Sequence, residues 1–240
     1  MKSIRAKGYT ENVVDLMVGK LARLKPEAQE ALQWLAALGN TAEFAVLALI
    51  LGRSAEAIHA ALWEAVRAGL LLRRDEAYAF LHDRVQEAAY SLIPAAARPE
   101  RHLRIGRILS SSLPPEQVAE RIFDIVTQLN RGAALVDAAE ERERIAELDL
   151  RAGERAKAAA AHAAALTYLA AGTRLLADDR WERCYELSFA LEYHRAECEL
   201  LTGGLAAAVW KIRNQSKGES RWHFIKSFLR MNGSRPGRNS

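Results

Sequence analysis

Apolar residues recur every three or four positions along most of this chain, and the one clear lapse in that spacing limits what it can fold into. The lapse is "LLLRRDEAYAFLHD", Leu70 to Asp83, which reads instead as two short apolar runs joined by a charged turn at Asp75 and Glu76. Strands send alternate side chains to opposite faces, so this pattern predicts a small β-hairpin inside an otherwise helical protein. With 240 residues, half of them hydrophobic, the chain can bury one large or two small cores. Ala, Leu, Glu and Arg, all good helix formers, recur throughout. The expected class is mostly α.

Helix signals precede the hairpin. Thr10 can cap a helix carrying Val13, Leu16, Met17, Leu21 and Leu24 at helical spacing. Pro26 suits the first turn of a second helix, with Leu32, Leu35 and Leu38 inward and Gly39 as its stop. The aliphatic run "FAVLALILG" makes a short third helix from Glu43 to about Leu51. Ser54 caps a fourth, striped by Ile58, Ala61, Leu62, Ala65 and Val66 and ended by Gly69. Trp63 in that helix is expected in the core. Helices followed by a hairpin outline a winged-helix domain over residues 10–95, behind a short leader, 1–9. After the hairpin, Asp83 and Gln86 have capping-box spacing, Val85, Ala89 and Leu92 form a face, and Pro94 closes the helix.

Residues 96–208 are helical by pattern: about Arg98 to Ser112, Pro115 to Asn130, then an alanine-rich, charged stretch from Glu140 to Ala177. "LDLRAGERAKAAAAHAAALTYLAAGTRLL" resembles a tetratricopeptide-type helix pair, with Gly153, Ala165 and Gly172 where two helices must approach closely. A second, degenerate copy would run from Trp181 to Thr202, with its turn at Gly203 and a partner helix that is never completed. The fold is therefore read as a winged-helix domain with a small β-hairpin followed by a TPR-like α-helical repeat region. From Val209 to Ser240 the chain carries eight Lys or Arg and one Glu, a local charge of +7, so the total of +4 leaves residues 1–208 at −3. The tail 209–240 is expected to be disordered. It is either a basic segment that binds an acidic surface or the out-of-frame end of a truncated gene.

One residue at the hairpin's end stands out. "YAFLH" places Tyr78, Phe80 and His82 on one side of a strand, and the chain then enters a helix whose first amides carry partial positive charge. A side-chain donor there suits a phosphate oxygen. A histidine in such a place can equally satisfy a nearby carbonyl. "FLHDRVQEAAYSLIP", together with "AIHAALWEAVRAGLL" before it and "HLRIGRIL" and "FDIVTQLNRGAAL" after it, resembles the large predicted ATPases of the signal-transduction (STAND) class, bacterial relatives of AAA-type NTPases. The resemblance runs from about Tyr9 to Ala208. Members are often fused to a serine/threonine kinase domain before this region and a sensor histidine kinase after it. In related switches a Met-His-Asp motif ends the winged helix, and its histidine contacts the β-phosphate of ADP in the closed state. Leu81, His82 and Asp83 are similar in order and placement, with Leu for Met. The resemblance thus implies His82 as the ADP contact, Leu81 as an apolar anchor and Asp83 as the residue that caps and orients the helix. It further implies partners in the ATPase core and kinase modules of the full-length family.

The chain's other features narrow its chemistry. The nearest approach to a P-loop, "MVGKLA" at Met17 to Ala22, has Val14 where the first glycine belongs and Leu21 where the hydroxyl belongs. No cofactor is expected to bind this chain alone. ADP or ATP would come with a P-loop domain supplied elsewhere, and the chain by itself is not expected to be an enzyme. DNA reading is disfavoured, since "SAEAIHAALWEAVRAGL" sets Arg67 against Glu56 and Glu64, with only Arg73 and Arg74 added by the hairpin. The histidines His59, His82, His102, His162, His194 and His223 make no two-ligand helical spacing, and His194 with Cys198 is not a metal site. Glu140 to Glu147, interleaved with Arg142 and Arg144, reads as a solvated face. Cys184 and Cys198 would lie about 21 Å apart in one helix, too far to bridge. No apolar run reaches the roughly 20 residues of a membrane span, and a reduced cytoplasmic setting without membrane contact is expected. Two further readings stay open. One is a stand-alone helical-repeat module binding a protein or peptide, and the other, disfavoured, is a winged-helix DNA-binding regulator.

Overall fold

Helix ends decide where this chain turns, and most of them use the residues just named. The computed structural model describes residues 14–202. The expectations for Thr10, Val13, the leader 1–9 and the tail 209–240 lie outside the described residues. A first helix, α1, covers residues 14–21, and α2 (Pro26–Leu38) follows with Pro26 in its opening turn. Then come β1 (Thr41–Glu43), α3 (Phe44–Leu51), α4 (Ala55–Arg67), β2 (Leu71–Arg74), β3 (Ala77–Phe80) and α5 (Asp83–Ser91). The rest is α6 (Arg98–Ser112), α7 (Pro115–Glu120), α8 (Ile122–Arg131), α9 (Ala139–Ala158), α10 (His162–Leu175), α11 (Arg180–Arg183) and α12 (Tyr185–Leu201). The chain is mostly helical with one small sheet.

The described residues divide into two compact units: residues 14–118 with Thr127–Leu135, and Ala119–Val126 with residues 136–202. In the first unit the Ser54 hydroxyl accepts from the Ala57 amide and caps α4. Gly69, at φ +67°, ends that helix: its amide reaches the Val66 carbonyl and the Leu70 amide reaches Ala65. This is the left-handed C-terminal motif that glycine adopts without a Cβ penalty. The hairpin forms around Asp75 and Glu76 as the sequence indicates, with Leu71 opposite Phe80 and Arg74 opposite Ala77. A third strand joins it. Thr41–Glu43 pairs antiparallel with β3, so β3 is the central strand of the order β1-β3-β2. Tyr78, Ala79 and Phe80 are accordingly all buried. Tyr78 and Phe80 share one core with Leu21, Leu32, Leu35, Leu47, Ile58, Leu62, Leu71, Val85 and Ala89.

Buried polar groups hold α6 and the end of α8 to this core. His102 Nε2 lies 2.8 Å from the Tyr90 hydroxyl, and its Nδ1 lies 2.6 Å from Gln128 Oε1. Gln128 Nε2 donates to the Ala37 carbonyl at 2.9 Å. Because Gln128 Oε1 can only accept, His102 donates from Nδ1, and the neutral ring that burial favours accepts the Tyr90 proton at Nε2. Burial lowers the His102 pKa, opposed by the Gln128 hydrogen bond and assisted by Arg131, Arg101 and Arg98. Trp34 lies beneath the guanidinium groups of Arg101 and Arg104, 4.4 and 5.3 Å from its ring centre.

The second unit is built from α9, α10 and α12. Gly153 and Gly172 are small because helices meet there. A Cβ on Gly153 would come within 2.6 Å of the Leu169 side chain, and one on Gly172 within 2.9 Å of Leu191 and 3.1 Å of Asp149 Cβ. Ala165 and Leu169 are fully buried in the same unit. Lys157 reaches from α9 to Glu197 at 2.6 Å and to His194 Nδ1 at 2.7 Å on α12, and His194 Nε2 contacts Glu154 at 3.0 Å. Arg180 pairs with the buried Glu192 at 3.2 Å.

Three expectations for the helices need correction. Pro115 to Asn130 is two helices, broken at Arg121. The stretch Trp181 to Thr202 breaks at Cys184, whose φ of −137° and ψ of 56° leave the helical region. Trp63 is not in the core: it is 55% exposed on the outer face of α4.

His102 gives a pH signature. A base whose pKa is lower folded than unfolded takes up a proton more readily when unfolded, so stability is complete above the ordinary imidazole range near pH 6.5 and is lost as pH falls below it. Urea midpoints followed from pH 8 to 5 should decline below about pH 6.5 in the wild type. His102→Gln should decline less over the same interval; an identical slope in the two proteins refutes the assignment.

Candidate functional site

The strand–helix junction at Leu81, His82 and Asp83 is fixed from three directions. The Phe80 amide donates to the Asn40 carbonyl at 2.9 Å, on the β1 side, and the Leu81 amide donates to Leu70 at 3.1 Å, on the β2 side. α5 is seated on the core through Val85, Ala88 and Ala89. It is also tied to α2, since Gln86 Nε2 donates to the Ala36 carbonyl at 3.0 Å. The last carbonyls of a helix have no acceptance partner inside it, and here two glutamines from elsewhere supply donors: Gln86 to Ala36 and Gln128 to Ala37.

That geometry corrects three details of the sequence reading. The N-cap position of α5 is His82, with extended φ of −144° and ψ of 146°, and no side chain caps the helix. Asp83 is the first helical residue rather than the cap, and Gln86 does not reach back to close a capping box because its amide serves α2. His82 also does not share the inward side with Tyr78 and Phe80. β3 ends at Phe80, the chain bends through Leu81 and His82, and strand alternation stops there. Tyr78 is buried, its hydroxyl 2.6 Å from His59 Nδ1, whereas Leu81, His82 and Asp83 are all exposed.

The result is an imidazole standing at the start of a nine-residue helix. Its ring makes no hydrogen bond with the described residues. Its own carbonyl accepts from the Val85 amide at 2.9 Å, which leaves the Asp83 and Arg84 amides as the outward donors of the first turn. Arg84 is next in sequence, paired with Glu87 at 2.5 Å and still largely exposed. Leu81 is 40% exposed, a large apolar residue left at the same junction. A ring donor, helix amides with partial positive charge and an apolar neighbour together suit an anionic group carried on a larger surface.

Other chemistry-bearing residues are placed apart. Met17 to Leu21 lie within α1, with Leu21 fully buried, so this stretch is helix rather than phosphate-cradling loop. No group of three or more His, Cys, Asp or Glu residues suited to a metal occurs among the described residues. Both cysteines are free thiols; Cys198 is buried, which raises its pKa. A groove of about 950 Å³ lies along α2 and α4, with Ala57, Ala60, Ala61 and Trp63 in its lining. Nothing in the residue pattern announces this groove, because an alanine-rich helix face reads the same whether covered or open. No single helix among the described residues is long and apolar enough to cross a membrane.

Comparison with known proteins adds one finding. The chain is similar to hybrid signal transduction histidine kinase G of Dictyostelium discoideum, 23% identical over 265 aligned residues. The alignment covers 85% of this chain but 8% of that protein, so the chain spans under a tenth of its relative's length. No family model matches. No solved structure matches.

The tie from α5 to α2 can be tested by itself. Removing one hydrogen bond to a helix-end carbonyl should cost about 0.5–1.5 kcal/mol. Gln86→Ala should therefore lower the urea midpoint with an unchanged denaturant slope. A midpoint equal to wild type would show that the bond does not fasten α5.

Proposed function

We propose that this chain is a regulatory segment of a signalling protein, a nucleotide-sensing and signal-relaying part that works with a P-loop domain supplied elsewhere. The observation that carries the proposal is His82: an exposed imidazole, with no hydrogen bond to the described residues, held at the N-terminus of α5 by a buried frame. The similarity to a signal transduction histidine kinase supports the signalling context. The order helix, strand, helix, helix and two-stranded hairpin supports reading the first unit as a winged helix. Close packing at Gly153 and Gly172 supports reading the second as a TPR-like pair that relays the change.

In this reading His82 donates to the β-phosphate of ADP, the Asp83 and Arg84 amides add their partial charge, and Leu81 packs on the apposed ATPase surface. Asp83 leads the first turn of the helix without capping it. ADP favours the docked arrangement, and exchange for ATP shifts the population toward the undocked one, because only one state gains the contact. The ATPase core and the kinase modules are then its partners, and catalysis belongs to them.

The test uses the chain joined to its P-loop domain. His82→Ala should raise the ADP dissociation constant about tenfold, the worth of one charge-assisted hydrogen bond. His82→Gln should recover part of the loss. Unchanged ADP affinity in both variants dismisses the reading. Nucleotide-independent capture of a peptide by the second unit would then favour a stand-alone interaction module.

A further inference from the structure

The outer face of α4 is not the usual solvated helix face. Ala57, Ala60, Trp63, Glu64, Arg67 and Ala68 are exposed along it, so the largest exposed aromatic of the unit stands beside a row of methyl groups. Glu56 occupies the first turn and Arg67 the last, and neither forms an ion pair among the described residues. We propose that this face pairs with the same face of a second copy of the chain, α4 against α4, in an antiparallel two-fold contact.

Three properties of the face select a second copy rather than a different occupant. Its charges are self-complementary. With the two-fold axis between Ala61 and Leu62, Glu56 of one copy lies opposite Arg67 of the other, twice over. Its shape is self-complementary in the same register, since Ala60 faces Trp63 of the second copy and the alanines leave room for an indole. Antiparallel alignment also sets the positive helix end against the negative one. Lys25 and Glu27, which also line the groove, again carry both signs, while Arg53 beside them is already paired with Glu30 at 2.6 Å. DNA fits this face poorly, because Glu56 and Glu64 would meet phosphates.

Size sets the strength. α4 has thirteen residues, about 20 Å of helix, so the contact falls below the roughly 1,200–2,000 Å² of stable interfaces. A contact of this size points to a weak, concentration-dependent dimer.

Sedimentation velocity on the full chain, from about 5 to 500 μM, covers the range in which a weak dimer forms. The wild-type average mass should climb toward twice that of the monomer. Trp63→Ala should stay monomeric throughout, and since the side chain is exposed its loss spares the core. Arg67→Glu should weaken the dimer at least tenfold. The double variant Glu56→Arg, Arg67→Glu should restore it, a recovery that a contact with a different protein would not give, and a mass that levels off at the dimer marks the contact as two-fold. A monomer at every concentration overturns the proposal and leaves the groove to a helix of another protein. A dimer indifferent to Trp63→Ala, or a charge swap no better than Arg67→Glu alone, overturns it as well.

Discussion

The C-terminal end of α2 is the fixed point of the first unit. A helix that stops inside a protein leaves carbonyls that water cannot reach, and each must be met or the burial costs more than it returns. Here Leu35 is met by the Gly39 amide, Ala36 by Gln86 and Ala37 by Gln128. Those two glutamines come from α5 and from the end of α8, so satisfying one helix terminus also fastens α5 and that end of α8 within the first unit. Gln128 then orders His102, and His102 orders Tyr90, which returns the chain of bonds to α5.

This arrangement explains why a side chain as exposed as His82 has a defined place. It sits between two fastened objects. Before it, β3 is bonded on both edges and its side chains are in the core; after it, α5 is held by Gln86 and by Val85, Ala88 and Ala89. The entropy of ordering the junction is met by groups on either side of it, so the residue proposed as the phosphate contact is held in place beforehand. Exposure on the surface and rigidity of the backbone are compatible here because the bonds lie to either side of the ring.

Much of the fold was legible because glycine, proline and serine act locally. Pro26, Ser54, Gly69 and the Asp75–Glu76 turn each mark a boundary through their own stereochemistry, and each boundary falls where the residue type requires. What escaped depends on distant partners. Gln86 has the spacing of a local cap, yet its donor is worth more at Ala36, fifty residues away, and no local pattern shows that. β1 is three residues long and exists only because β3 offers an edge. The α9–α10 turn passes through Ala160 at φ +57°, with no glycine or proline in "AAAAHAAA" to announce it. Trp63 followed the same logic: its size argued for the core, but burial depends on which face of α4 is covered. Of the site, the position of His82 at a strand–helix junction was readable. Its outward orientation was not, because alternation along β3 ends two residues before it.

The central claim is that His82 stands on a rigid frame while the donors beside it remain open. Amide hydrogen exchange of the folded chain, resolved residue by residue, measures both halves at once. The account predicts that the Phe80 and Leu81 amides exchange only through global unfolding, slowed at least about a thousandfold, while the adjacent Asp83 and Arg84 amides exchange freely. Rapid exchange at Phe80 and Leu81 would show that the junction has no fixed geometry to offer a phosphate, and would contradict the account at its root.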